Sequence, residues 1–279
     1  MIEHRTVRTN GISLHVAFAG PPSGRPLLLL HGFPDFWWTW RAQIEPLVAA
    51  GFRLVMPDQR GYNTSEKPPG VSAYGRDTLA NDAVGILDAL RIQRATVIGH
   101  DLGGAVAWWI AHQHAERLDK LVVLNCPHPV VMERTLRSNL AQLRRSWYIL
   151  FFQLPLLPEA YFARADFVPA LRWLEKASGC AKEDLAKYRD AWSQPGAVHA
   201  MIQWYRAAAR VRPYQARNRS ILAPTRLIWG TNDIALGEEM AAPSIAGCLE
   251  GRVVRVEGAG HWVHQRAAER VNTELLGFL

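Results

Sequence analysis

The chain has 279 residues and little cysteine, with thiols only at Cys126, Cys180 and Cys248. Three scattered thiols make neither a disulfide framework nor a zinc site, so a reducing, cytoplasmic setting is expected. No apolar run approaches the roughly 20 residues needed to cross a bilayer, which argues against a membrane-spanning helix. Met1-Ile-Glu-His-Arg runs straight into an alternating pattern, with no opening that reads as a signal peptide. Internal repeats and low-complexity tracts are absent. So are phosphate-cradling glycine loops and metal-ligand clusters, which removes nucleotide-binding and metalloenzyme readings. No cofactor and no metal are expected.

What is present suits one catalytic domain with an inserted segment: 49% hydrophobic and 20% charged residues, with a formal net charge of +7. That charge raises the question of nucleic acid. The densest basic stretch, Arg206 to Arg219 with Arg210, Arg212 and Arg217 between, is interleaved with Ala, Val, Pro and Tyr. It carries no zinc-finger or RNA-binding signature and reads as a solvated face, so neither nucleic acid nor membrane is expected as a partner. The oligomeric state stays open, a homodimer included.

Ile12, Leu14, Val16 and Phe18 alternate with polar or small residues, the period of a half-buried strand. Asn10-Gly11 before them is a hairpin signal that pairs this strand with the Glu3 to Thr9 segment. Leu27–Leu30, Arg53–Met56, Thr96–Ile98 and Leu121–Leu124 are instead continuous apolar runs separated by helical patterns, one of them Thr78 to Leu90. Strands buried on both faces and alternating with helices predict an α/β fold with a mostly parallel sheet. From Pro127 to about Asn218 the strands stop, aromatics accumulate and prolines punctuate short helices. Strands return at Arg226–Trp229 and Arg252–Val256. The expected organisation is a core over 1–126 and 219–279 with a helical cap over 127–218, near the carboxyl ends of the strands where such folds bind ligands.

Gly99-His-Asp-Leu-Gly103 sits where the Thr96–Ile98 strand turns into a helix, the context of a nucleophile elbow. The nucleophile position holds Asp101; the competing reading is an aspartate that merely caps the helix. An exposed carboxylate there is ionised at neutral pH, its ordinary pKa being about 3.9. Attack on an ester or amide carbonyl would give an unstable anhydride. Attack on saturated carbon with a strained or good leaving group gives an alkyl ester that water can open. Epoxide opening and dehalogenation are the reactions that fit.

Hydrolysing that ester calls for a base with a pKa of about 7. His261, in a glycine-rich loop after the last strand, is the candidate; His112, His114 and His264 read as structural. Asp233, just past the preceding strand, is the candidate acid that orients it, with an Asx-turn as the competing role. Asn125, at the other strand end used for this acid, carries no charge. The backbone N–H groups of Phe33 and Leu102 are the expected oxyanion donors, with Pro34 stiffening the first loop.

Four motifs carry a resemblance: His31-Gly-Phe-Pro-Asp-x-x-x-x-Trp40, Asp58-Gln-Arg-Gly-Tyr-Asn-Thr-Ser65, Gly99-His-Asp-Leu-Gly-Gly104 and Gly260-His-Trp262. Together they resemble the soluble epoxide hydrolases of the α/β-hydrolase superfamily, over essentially the whole chain. The resemblance implies two lid tyrosines that hydrogen-bond the epoxide oxygen. Gln203-Trp-Tyr-Arg206 marks Tyr205, and Ser146-Trp-Tyr-Ile-Leu-Phe-Phe-Gln-x-Pro155 marks Tyr148, with Tyr161 as the substitute. A phenol suits this task, since it donates to an alkoxide without being ionised at neutral pH. One departure is Leu102, where many relatives place Trp. Haloalkane dehalogenases use that indole and a donor at the Phe33 position to hold halide, and fluoroacetate dehalogenases place arginines where Leu102 and Ala105 stand.

The expected activity is hydrolysis of a small apolar epoxide to a vicinal diol, with water as co-substrate and a pocket of Pro34, Trp37, Trp38, Phe152 and Trp262. A haloalkane dehalogenase, revealed by halide release, and a non-catalytic receptor, revealed by binding without turnover, are the alternatives.

Overall fold

A computed structural model describes residues 2–210 and 220–279. The chain opens with a hairpin of β1 (Glu3–Thr9) and β2 (Ile12–Ala19), paired antiparallel so that Thr9 faces Ile12. Asn10 and Gly11 both take positive φ, 46° and 76°, as the tight turn between twisted strands requires. The next strands are β3 (Arg25–Leu30) and β4 (Phe52–Pro57), joined by α1 (Arg41–Ala49). Helix α2 (Arg76–Ala89), β5 (Ala95–His100), α3 (Leu102–Gln113) and β6 (Leu118–Leu124) continue the alternation. After the insert come β7 (Thr225–Gly230), α11 (Ala241–Ser244), β8 (Gly251–Val256), α12 (Val263–Arg266) and α13 (Ala268–Leu276).

The eight strands form one sheet in the order β1-β2-β4-β3-β5-β6-β7-β8. β2 meets β4 antiparallel, and every pair beyond that is parallel. The apolar runs seen in the sequence are the central strands: Leu27 to Leu30 and Leu121 to Leu124 are at most 1% exposed. Each such leucine contributes on the order of 1.5–3 kcal/mol of burial. This is why the sheet centre tolerates no alternation. Flanking helices cover it, α1 packing beside α13 and α2 beside α3.

Between β6 and β7 lie seven helices among the described residues. They are α4 (Pro129–Ser138), α5 (Leu140–Arg145), α6 (Trp147–Phe151), α7 (Leu157–Ala163), α8 (Val168–Ser178), α9 (Lys182–Ser193) and α10 (Ala197–Ala208). The expected insert boundary at 218 and the basic residues Arg212, Arg217 and Arg219 lie outside the described residues. The insert is fastened to the core by indole and phenol donors: Trp192 Nε1 to the carbonyl of Pro34 (2.7 Å), Trp204 Nε1 to that of Arg60 (2.9 Å) and Tyr188 Oη to Asp35 (2.8 Å). No helix among the described residues is long and apolar enough to cross a membrane.

Candidate active site

β5 delivers Asp101 at its carboxyl end, where the backbone takes φ 49° and ψ −123°. A non-glycine residue at positive φ costs on the order of 1–3 kcal/mol and persists only where the surroundings enforce it. Here they do. A Cβ on Gly103 would lie 2.2 Å from the Leu30 carbonyl oxygen, so α3 can start this close to β3 only with glycine there.

The Asp101 side chain is 14% exposed, which corrects the expectation of an open carboxylate. Burial pushes its pKa up. The His261 charge and the Phe33 and Leu102 amides act the other way and favour the anion. Phe33 N–H donates to Oδ2 at 2.8 Å, and the Leu102 amide also favours the anion, so both expected oxyanion donors act on this carboxylate. Oδ1 faces His261 instead, 3.7 Å from Nε2.

His261 follows β8, and its Nδ1 lies 2.7 Å from Asp233 Oδ2. Burial opposes a charged ring, but Asp233 through charge and hydrogen bond, then Asp101 and Asp35 through charge, raise His261 to about 9. Burial also raises Asp233, yet its contacts with His261, Leu236 N–H and Asn125 hold it below the ordinary carboxylate range. Asp233 combines both roles weighed for it. Oδ1 accepts from Ala235 N–H (2.8 Å) and Leu236 N–H (3.0 Å) as an Asx-type turn, leaving Oδ2 for the imidazole.

Asn125, set aside in the sequence because it has no charge, donates through Nδ2 to Asp233 Oδ2 at 2.7 Å. Its Oδ1 accepts from Gly230 N–H at 2.9 Å, which pins the β7 exit. Its position at the end of β6, beside β7, was the available signal.

Asp101 and His261 open onto a cavity of about 340 Å³ whose wall includes Phe33, Tyr148, Phe152, Tyr205 and Trp262. The Tyr148 and Tyr205 rings meet edge to face at 5.9 Å, and Phe152 touches both. Burial, followed by the Asp101 charge, pushes both phenols above their ordinary pKa, so they stay protonated donors into alkaline solution. Tyr161 also lines the cavity, at its exposed mouth. Arg206, which opens the basic stretch expected to be a solvated face, is instead buried and ties the Tyr205 helix to the Phe152 segment. It donates to the carbonyls of Phe152 (3.0 Å) and Leu154 (2.6 Å) and pairs with Glu159.

Three of the expected pocket residues do not line this cavity. Trp38 turns toward the insert, with Nε1 on Asp184 at 2.8 Å and Lys187 over its ring. Trp37 packs against His4 and Trp38. The Pro34 carbonyl is taken by Trp192. These positions dock the insert and the amino-terminal hairpin. Trp262 does reach the cavity, its Nε1 committed to Asp35 at 2.8 Å.

A family model described as alpha/beta hydrolase fold matches residues 25–266. The chain is 42% identical to the AB hydrolase superfamily protein YfhM of Bacillus subtilis, over 98% of this chain and 96% of that one. It is 36% identical to Epoxide hydrolase 4 of Homo sapiens, over 98% of this chain and 77% of that protein. Among solved structures, an epoxide hydrolase from Bacillus megaterium in complex with an inhibitor superposes with a TM-score of 0.91 at 29% identity, covering 98% of this chain and 99% of the other. The chain belongs to the α/β-hydrolase fold family, and within it groups with the epoxide hydrolases.

Proposed function

We propose that the protein hydrolyses an apolar epoxide to a vicinal diol through an alkyl ester on Asp101, as a hydrolase acting on an ether bond, with the insert serving as the cap over the site. One observation carries this reading: a carboxylate at the elbow shares a single cavity with two phenols whose hydroxyl groups find no hydrogen-bond acceptor among the described residues and remain to serve a substrate. Asp101 Oδ1 is the attacking atom, because Oδ2 is already engaged by the Phe33 amide. Its lone pair forms the new C–O bond as the ring C–O bond breaks, and Tyr148 and Tyr205 donate hydrogen bonds to the departing oxygen.

Oδ2 is then the ester carbonyl oxygen, already bonded to the Phe33 N–H, one of the donors that stabilise the tetrahedral anion of the second step. Alkylation removes the Asp101 charge, one of those that raise His261, so the imidazole's pKa falls and more of it is in the neutral form that can take a proton from water at the moment one is needed. Neutral His261 takes a proton from water as that water attacks the carboxyl carbon. Collapse of the tetrahedral anion breaks the bond to the diol, and the His261 proton passes to the leaving oxygen. The proton left on the carboxyl is released to solvent as the carboxylate is restored, and the ring-opened oxygen takes one from solvent. A cavity walled by phenols, with the Trp262 indole N–H committed to Asp35, favours this reading over halide release.

Single turnover of styrene oxide in heavy-oxygen water is the test. The first diol released is expected to carry light oxygen from Asp101 while the label enters the protein. Label appearing directly in that first diol overturns the reading.

A further inference from the structure

The insert reaches the loop that holds the triad acid through a fully buried primary amide. Gln142 on α5 is 0% exposed, although Ala141 and Leu143 beside it are exposed. Its Nε2 donates to the Ala235 carbonyl (2.8 Å) and to Ser146 Oγ (2.9 Å), and its Oε1 accepts from Gly237 N–H (2.8 Å). The Ala235 carbonyl and the Leu236 N–H belong to the same peptide group. That N–H donates to Asp233 Oδ1 at 3.0 Å, and Asp233 Oδ2 faces His261 Nδ1 at 2.7 Å. A continuous run of hydrogen bonds therefore leads from the insert through one peptide group and one carboxylate to the imidazole. Bonds linked this way polarise and align one another. The other arm of the amide holds Ser146, two residues before Tyr148, so Gln142 joins the phenol-bearing segment to the base.

We infer that Gln142 is a positioning residue that couples the seating of the cap to the orientation of Asp233, and through it to the water-activating step. The inference rests on the ester mechanism proposed above. Without the amide, the Ala235 carbonyl and Gly237 N–H are left buried without partners, and the loop must move to rehydrate them. Leu236 N–H then leaves Asp233, and His261 loses its alignment. Attack by Asp101 is spared, because its carboxylate is held by the Phe33 amide on another loop.

The test follows formation and decay of the Asp101 adduct of styrene oxide by rapid quench and intact mass. Gln142→Met keeps the volume and removes the bonds. It is expected to slow adduct decay by about tenfold, the rate equivalent of one hydrogen bond to a charged group, while adduct formation stays within about threefold. Steady-state kcat and KM then fall together and kcat/KM holds. Ser146→Ala, which spares the loop contacts, leaves decay unchanged. Gln142→Glu provides a pH-dependent rescue: neutral, it still donates to the Ala235 carbonyl, and ionised it cannot. Its decay rate relative to wild type is expected to climb as pH falls, which a packing role would not produce.

Loss of both half-reactions in equal measure, loss of neither, or slowed decay in Ser146→Ala overturns the inference. If Gln142→Met does not fold, the Gln142→Glu ratio decides, and a ratio flat with pH overturns it. A wild-type protein that forms no adduct overturns the functional reading and this inference with it; an adduct with unchanged variants overturns this inference alone.

Discussion

The Nε2 atom of His261 stands 3.7 Å from Oδ1 of Asp101, near enough for charge to couple them and too far for a shared proton. A histidine that activates a serine must hydrogen-bond its nucleophile. This one need not, because a carboxylate attacks without giving up a proton.

Replacing His261 by Gln is therefore expected to leave the first half-reaction running and stop the second. Turnover falls by about 10²–10⁴-fold, the usual worth of a general base. Intact mass should show one adduct on Asp101 after incubation with a small epoxide. Diol formation at the wild-type rate, with no adduct, would sink the two-step scheme.

Tyr148→Phe and Tyr205→Phe are expected to slow adduct formation. Each removes a donor to a developing anion, worth about 1.5–3 kcal/mol, or roughly 10–150-fold. The double variant is the sharper measurement, since loss of both donors should exceed either alone. Adduct decay, which uses neither phenol, should hold in the single variants.

The acid limb follows from His261. Ester hydrolysis needs the neutral imidazole, so it slows about tenfold per pH unit once the group is protonated. The group lies at about 9 with Asp101 charged and falls when the ester removes that charge. Adduct should thus accumulate as pH falls, measured by acid quench across a pH series. An adduct that instead accumulates at alkaline pH contradicts the assignment.

Stability carries the opposite sign. His261 is raised in the fold from 6.5 to about 9, so its contribution is complete below 6.5 and disappears as pH rises through 9. Thermal melts between those values should show Tm falling with pH, and His261→Gln should flatten that slope.

Gly103→Ala is expected to destabilise the whole domain by at least about 1–3 kcal/mol, because the new Cβ meets backbone at 2.2 Å and backbone cannot rotate aside. Chemical denaturation measures it, and a variant of unchanged stability contradicts the packing described.

The local signals in this chain were readable because their causes are local. The Asn10-Gly11 turn, the leucine runs of β3 and β6, and the glycines around Asp101 each declare their geometry within a few residues. The meeting of Asp101, Asp233 and His261 was readable because each follows a strand, and parallel strands present their carboxyl ends along one edge. Trp37 and Trp38 misled because neighbourhood in sequence to Phe33 does not set the direction of a side chain on a helical turn. Gln142 was invisible, since its partners Ala235 and Gly237 are 93 and 95 positions away. Asn125 was passed over because charge, rather than donor capacity, was the criterion applied to it.

β6 and β7 are neighbours in the sheet, Leu121 beside Thr225, so the chain departs and returns at a single seam. Such a seam lets natural recombination or an engineer swap one insert for another while the strands stay in register, and on the cap reading proposed above this separates the choice of substrate from the chemistry performed on it. The freedom has a condition. A transplanted lid that brings no amide to the Ala235 peptide inherits the nucleophile in working order and a histidine out of tune, and selection on such chimaeras should recover a glutamine at that seam first.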